Sequence, residues 1–134
     1  MSVIRILLLL PILAATAAPK NPLIGTWRGT SLCTPVRAAC RDEIAVYHIA
    51  PSPKENTVLL TANKVVDGKE VEMGGTVEYK VDYAKRTLIW EMTARDGSRH
   101  AVILTWTGNE MTGTLVQYPG REVVRNMKLT KQAQ

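Results

Sequence analysis

The chain has 134 residues, 46% of them hydrophobic, a net charge of +5 and only two cysteines. That length suits one domain with its own core. The basic residues are scattered, with no run interleaved with aromatics, which excludes the usual footprint of a nucleic-acid-binding protein.

The first segment reads as an address. Arg5 precedes an apolar run from Ile6 to Leu13, and Ala15-Thr16-Ala17 has the small-x-small pattern of a signal-peptidase site. Residues 1–17 are therefore expected to form a signal peptide, and residues 18–134 a single secreted or periplasmic domain. Pro11 interrupts the apolar run, which is also shorter than the ~20 residues of a bilayer span. No membrane anchor is expected to persist after cleavage. In an oxidising compartment Cys33 and Cys40 read as a disulfide that closes the loop between them. The chain-entropy estimate for so small a ring is about 2.5 kcal/mol.

Strand signals follow at nearly regular intervals. The first covers Ile24–Leu32 and the second Glu43–Ala50, with Pro51-Ser52-Pro53 as the break after it. Val58–Val66 runs into Asp67-Gly68, a strong hairpin signal. Glu70–Tyr83 is long and carries Gly74-Gly75, which predicts a bulge or bend. Thr87–Thr93, Arg99–Thr107, Met111–Tyr118 and Glu122–Thr130 complete the series, separated by Ala84-Lys85-Arg86, Asp96-Gly97, Gly108-Asn109-Glu110 and Pro119-Gly120. No long stretch has helical period. Short turns between successive strands give a meander, and closing it removes both edges. The expected fold is all-β, an eight-stranded antiparallel up-and-down β-barrel.

Alternation assigns the interior. Val77, Tyr79, Val81 and Tyr83 face inward from the fourth strand, Leu88, Trp90 and Met92 from the fifth, and Val102, Leu104 and Trp106 from the sixth. Met111, Gly113 and Leu115 follow from the seventh, and Val123, Arg125, Met127 and Leu129 from the eighth. On the second strand Tyr47 and His48 face opposite ways, and the pattern does not say which is inside. Arg125 is the odd member. A guanidinium facing an apolar interior costs several kcal/mol unless paired or hydrated. Stacking on Trp27, in the strand that closes against the last, is one relief. A position at the rim, or a bulge that reverses the parity, is the other.

Gly25-Thr26-Trp27 on the first strand with Arg125 on the last resembles the signature of lipocalins and their calycin relatives. In that group the Trp packs at the closed end of the barrel and the Arg lies across it. The resemblance implies structural roles at the barrel floor for Gly25, Trp27 and Arg125. Gly108-Asn109-Glu110-Met111 stands where lipocalins have Thr-Asp-Tyr, and Met127 stands where fatty-acid-binding proteins have the Tyr of Arg-x-Tyr.

An eight-stranded barrel is wide enough for its side chains or for one small ligand. If a cavity exists, Tyr79, Trp90, Met92 and Trp106 are the expected wall, and a small apolar molecule the expected cargo. A protein partner at the rim, meeting Val36 and Arg37 on the disulfide loop, is the alternative. No nucleophile motif or phosphate loop is present, and two isolated histidines make a poor zinc site. No catalytic residue, metal or cofactor is expected. Asp42, Glu43 and His48 could meet at the barrel mouth as an acid–base group, which requires either carboxylate to reach His48.

Overall fold

In the computed structural model, residues 21–134 are described, and the signal peptide expected over residues 1–17 lies outside them. Eight strands follow one another in chain order: β1 (Gly25–Cys33), β2 (Glu43–Pro51), β3 (Thr57–Val66), β4 (Lys69–Asp82), β5 (Thr87–Thr93), β6 (Arg99–Thr107), β7 (Glu110–Tyr118) and β8 (Glu122–Lys131). Each pairs antiparallel with the next, and β1 pairs with β8, so the sheet is a closed eight-stranded barrel. The expected boundaries differ from these by a residue or so, because the turn chemistry marks them. Asp67 (φ 52°) and Gly68 (φ 76°) both adopt positive φ between Val66 and Lys69, as a two-residue hairpin turn matching the strand twist requires.

Gly74-Gly75 sits at a bulge. Thr61 pairs with Thr76 but Asn63 pairs with Glu72, so Met73, Gly74 and Gly75 together oppose Ala62. Gly75 has φ 78°, which a side chain would resist. A second irregularity lies in β8, where Leu115 pairs with Arg125 but Val116 pairs with Val123. Val124 is the extra residue, and it reverses the alternation there. Val123 therefore leaves the inward set to which simple alternation assigned it. Tyr83 also departs from its expected inward place: it lies beyond the end of β4 and is 41% exposed.

The barrel is solid at one end. Leu23, Trp27, Val58, Leu88, Leu104, Met111 and Leu129 are wholly buried there. The Trp27 Nε1–H donates to the Leu23 carbonyl at 3.0 Å, so the segment before β1 folds across the end and satisfies the buried indole. Lys131 completes the floor, its Nζ donating to the Pro22 carbonyl at 2.7 Å and lying 5.7 Å from the Trp27 ring centroid. This corrects the expectation for Arg125. Register pairs Trp27 with Lys131 and Arg125 with Cys33, and six residues of strand separate the two cations by about 20 Å.

Toward the other end the same inward rows loosen. Ala62, Val77, Trp90, Val102 and Leu115 pack against the core yet are only partly buried. Large truncations at the solid end should thus be the costly ones. Trp27→Ala is expected to destabilise by about 3–5 kcal/mol and Lys131→Ala by only about 0.5–1 kcal/mol, both read from urea unfolding curves.

Candidate functional site

The loosely packed end is framed by the loop between β1 and β2. Cys33 and Cys40 are disulfide-bonded, and Asp42 Oδ1 accepts the Cys33 N–H at 2.8 Å across the base of the loop. Thr34 ties the loop to β8, donating through Oγ1 to the Val123 carbonyl at 2.7 Å and through its backbone N–H to Val124 at 3.2 Å. Arg37 reaches over to β6 and β7, where its guanidinium meets His100 Nε2 at 3.2 Å and Gln117 Oε1. Arg37 thus folds back onto the barrel, whereas Val36 stays 52% exposed at the tip.

Below the loop lies a cavity of about 210 Å³. Its apolar wall comes from Ala45, Met73, Val102, Leu115 and Met127, and its polar groups from Ser31, Glu43, Tyr47 and Arg125. A smaller hollow of about 190 Å³ between Arg37, Ala39, Cys40 and Val124 shares Leu115 and Arg125 with it.

Arg125 is the central polar group of this end. Its Nη1 donates to Ser31 Oγ at 3.2 Å and to the Ser31 carbonyl at 3.3 Å, and its Nη2 donates to the Arg41 carbonyl at 2.9 Å. Glu43 Oε1 lies 3.5 Å from the same Nη2 and 3.8 Å from Lys64 Nζ. One carboxylate thus sits between two cations at the lip of an apolar chamber. Beside it, burial pushes the Tyr47 phenol up to about 12, with Glu43 adding to the rise and Arg125 opposing it. Burial, then Tyr47, raises Tyr79 as well. Both phenols are therefore neutral hydroxyls near pH 7.

The four aromatic and Met positions expected to form the wall are scattered. None of Tyr79, Trp90, Met92 and Trp106 lines the 210 Å³ cavity. Trp106 is buried at the solid end, edge-on to Tyr83 at 6.0 Å. Tyr79 is buried and packs on Trp90 at 6.1 Å, while Met92 is 38% exposed at the end of β5. Parity fixed their face of the sheet but not their height along the barrel. Gly25 and Trp27 lie near the floor and Arg125 at the mouth.

Residues that do line the cavity were missed for a clear reason. Ile44-Ala45-Val46-Tyr47 is apolar on both faces, so alternation could not orient β2. Ser31 shares the parity of Trp27 and was legible on that ground alone.

The acid–base group that Asp42, Glu43 and His48 could have formed at the mouth is not assembled. Asp42 is bound to Cys33 and Glu43 to the cations, whereas His48 belongs to the outer wall. There His48 Nδ1 lies 3.2 Å from Thr26 Oγ1, and Nε2 lies 2.6 Å from Glu70 Oε2. Asn63 Nδ2 donates to the same oxygen at 2.8 Å. The bonds from Asn63 and His48 hold the Glu70 carboxyl below its usual range. Among the described residues no group of three or more His, Cys, Asp or Glu side chains is placed to hold a metal ion, and no helix is long and apolar enough to cross a membrane.

The fold and this end together define the class: a closed, all-antiparallel eight-stranded barrel with one disulfide-stapled mouth. No protein-family model and no curated protein matches the chain.

Two measurements test the polar cluster. Arg125→Met leaves Glu43 with Lys64 alone and frees two carbonyls, and should cost about 1.5–3 kcal/mol in urea unfolding. Tyr47 acts at high pH. Because the folded chain binds its phenolic proton more tightly than the unfolded chain, the contribution is complete below pH 10 and is lost as pH rises through about 12. Tyr47→Phe should flatten the alkaline limb of the stability profile in that window, seen by unfolding at stepped pH.

Proposed function

We propose that the chain is an exported, non-catalytic, lipocalin-like barrel that takes a small, mainly apolar molecule into the open half of its interior. One observation carries this reading: the inward side chains Val102 and Leu115, which line the cavity, are only partly buried, whereas Trp106 and Met111, their counterparts at the floor on the same strands, are buried. Apolar surface held open to water gains about 25 cal/mol per Å² when a ligand covers it. The cavity of about 210 Å³ is below the usual ~300–1,000 Å³ range of ligand pockets, so the cargo is small. Ser31, Tyr47 and Arg125 at the lip suit a molecule with a single polar end.

The calycin resemblance of Gly25-Thr26-Trp27 and the closed barrel support the same assignment. Export rests on the leader pattern and on a disulfide that an oxidising compartment maintains. The loop supports a second reading, in which the exposed Val36 on a ring clamped to β8 serves as an apolar contact for a protein partner at the rim.

Native mass spectrometry of the exported protein after exposure to a mixed lipid extract tests the main reading. One small molecule per chain is expected to be retained. Leu115→Trp, which fills the cavity, should abolish retention while leaving the melting temperature close to the parent value. Absence of any retained species, or equal retention by Leu115→Trp, would overturn the assignment.

A further inference from the structure

Among the described residues the barrel wall has a weak seam between β4 and β5, which shares Met73 with the cavity below the mouth. β4 has 14 residues and β5 has seven, yet they pair only through Lys80–Ile89, Val81–Leu88 and Asp82–Thr87. Tyr79 and the residues before it on β4 have β3 on one side, and Trp90–Thr93 have β6 on one side. On the sides that face each other, neither segment has a strand partner among the described residues. Backbone N–H and C=O groups on such an edge are an open template for another strand.

The two faces of the seam differ in chemistry. Inside it are Val77 and Trp90, both partly exposed, with Met73 and Met92 at 43% and 38% exposure. Outside it Glu78, Lys80, Ile89 and Glu91 line a cleft of about 490 Å³ that Trp90 also borders. Glu72, on the same outward side of β4, adds a further acid beyond the bulge. Lys54 lies 3.9 Å from Glu78, but its side chain is 71% exposed, and so loose a pair neutralises little.

We propose that this seam docks an extended peptide strand, hydrogen-bonded to the β4 edge, whose inward side chains are apolar and whose outward side chains are basic. Strand addition supplies main-chain hydrogen bonds for affinity and alternate side chains for selectivity. An inward Val or Leu would cover Val77 and Trp90, and an outward Lys or Arg would lie between Glu78 and Glu91. A second copy of the chain fits poorly: Lys80 lies where β4 and β5 are already paired, so the open stretch would set Glu78 and Glu91 of one copy against those of the other, and like charges across a strand pair repel.

The full exported chain should be titrated with a seven-residue peptide alternating valine and lysine, read by backbone amide shifts and hydrogen exchange. Binding is expected to protect amides of β4 between Met73 and Tyr79. The same peptide with glutamate for lysine, or with alternate amides N-methylated, should bind at least tenfold more weakly. Glu78→Lys with Glu91→Lys should also weaken binding at least tenfold, whereas Glu110→Lys at the opposite end should not. Leu115→Trp should bind the peptide normally, which separates this seam from the cavity. Equal binding of the N-methylated or the glutamate peptide would overturn the proposal. Protection confined to the disulfide loop, or edge amides already protected in a dimer, would do the same.

Discussion

Pairing of β1 with β8 is the constraint on which the rest depends. It converts a meander with two exposed edges into a tube, and its register decides what meets at each end. Because the strands are antiparallel, the start of β1 must lie beside the end of β8. Trp27 accordingly faces Lys131, and Arg125 faces Cys33. Gly29 allows the close approach in between, since a β-carbon there would fall 1.8 Å from the Lys128 carbonyl oxygen. The two cations of β8 thereby acquire separate duties. One closes the floor by holding the Pro22 carbonyl over the indole, and the other gathers Ser31, Arg41 and Glu43 beneath the disulfide loop.

That division sets a gradient of packing along the tube. At the floor the indole is buried, its N–H is satisfied, and Leu23, Leu88, Leu104 and Leu129 have no exposed surface. At the mouth, order depends on polar ties: a disulfide, Asp42 on the Cys33 amide, Thr34 on β8, and Arg37 on His100 and Gln117. Burial resists local opening more strongly than solvent-facing hydrogen bonds do. Local opening should therefore begin at the mouth and leave the core in place.

Most of the fold was legible in the sequence because it was written in short-range signals. Asp67-Gly68, Gly74-Gly75 and Asp96-Gly97 mark turns or bends through backbone chemistry that acts within a few residues, and alternation assigned the faces of β5, β6 and β7. What was less legible is relational. Placing Arg125 over Trp27 needed only the correct face, and both side chains do share it, but their heights follow from the register of closure. The direction of antiparallel pairing alone was enough to favour Lys131. The cavity wall failed for a related reason: Trp106 and Trp90 have the right parity, yet strand position puts one at the floor and the other beside the seam. The bulge at Val124 left no Gly or Pro in β8 to announce it, so the change of face at Val123 could not be foreseen.

The open seam is easier to understand in the same terms. Pairing between β4 and β5 stops at Lys80, so that Trp90–Thr93 of the shorter strand and the long stretch of β4 before Lys80, with its two-glycine bend, both lose their partner on this side. Backbone groups left unpaired there cost little while water reaches them, and the surrounding glutamates discourage self-association. The same glutamates, set outside a strip of Val77, Trp90 and Met92, leave an edge that is both hydrogen-bond-competent and selective by charge. Closure holds the tube together at β1 and β8, and the three pairs from Lys80 to Asp82 keep Leu88 in the floor, so the remainder of β4 and β5 stands apart on the side where burial is least.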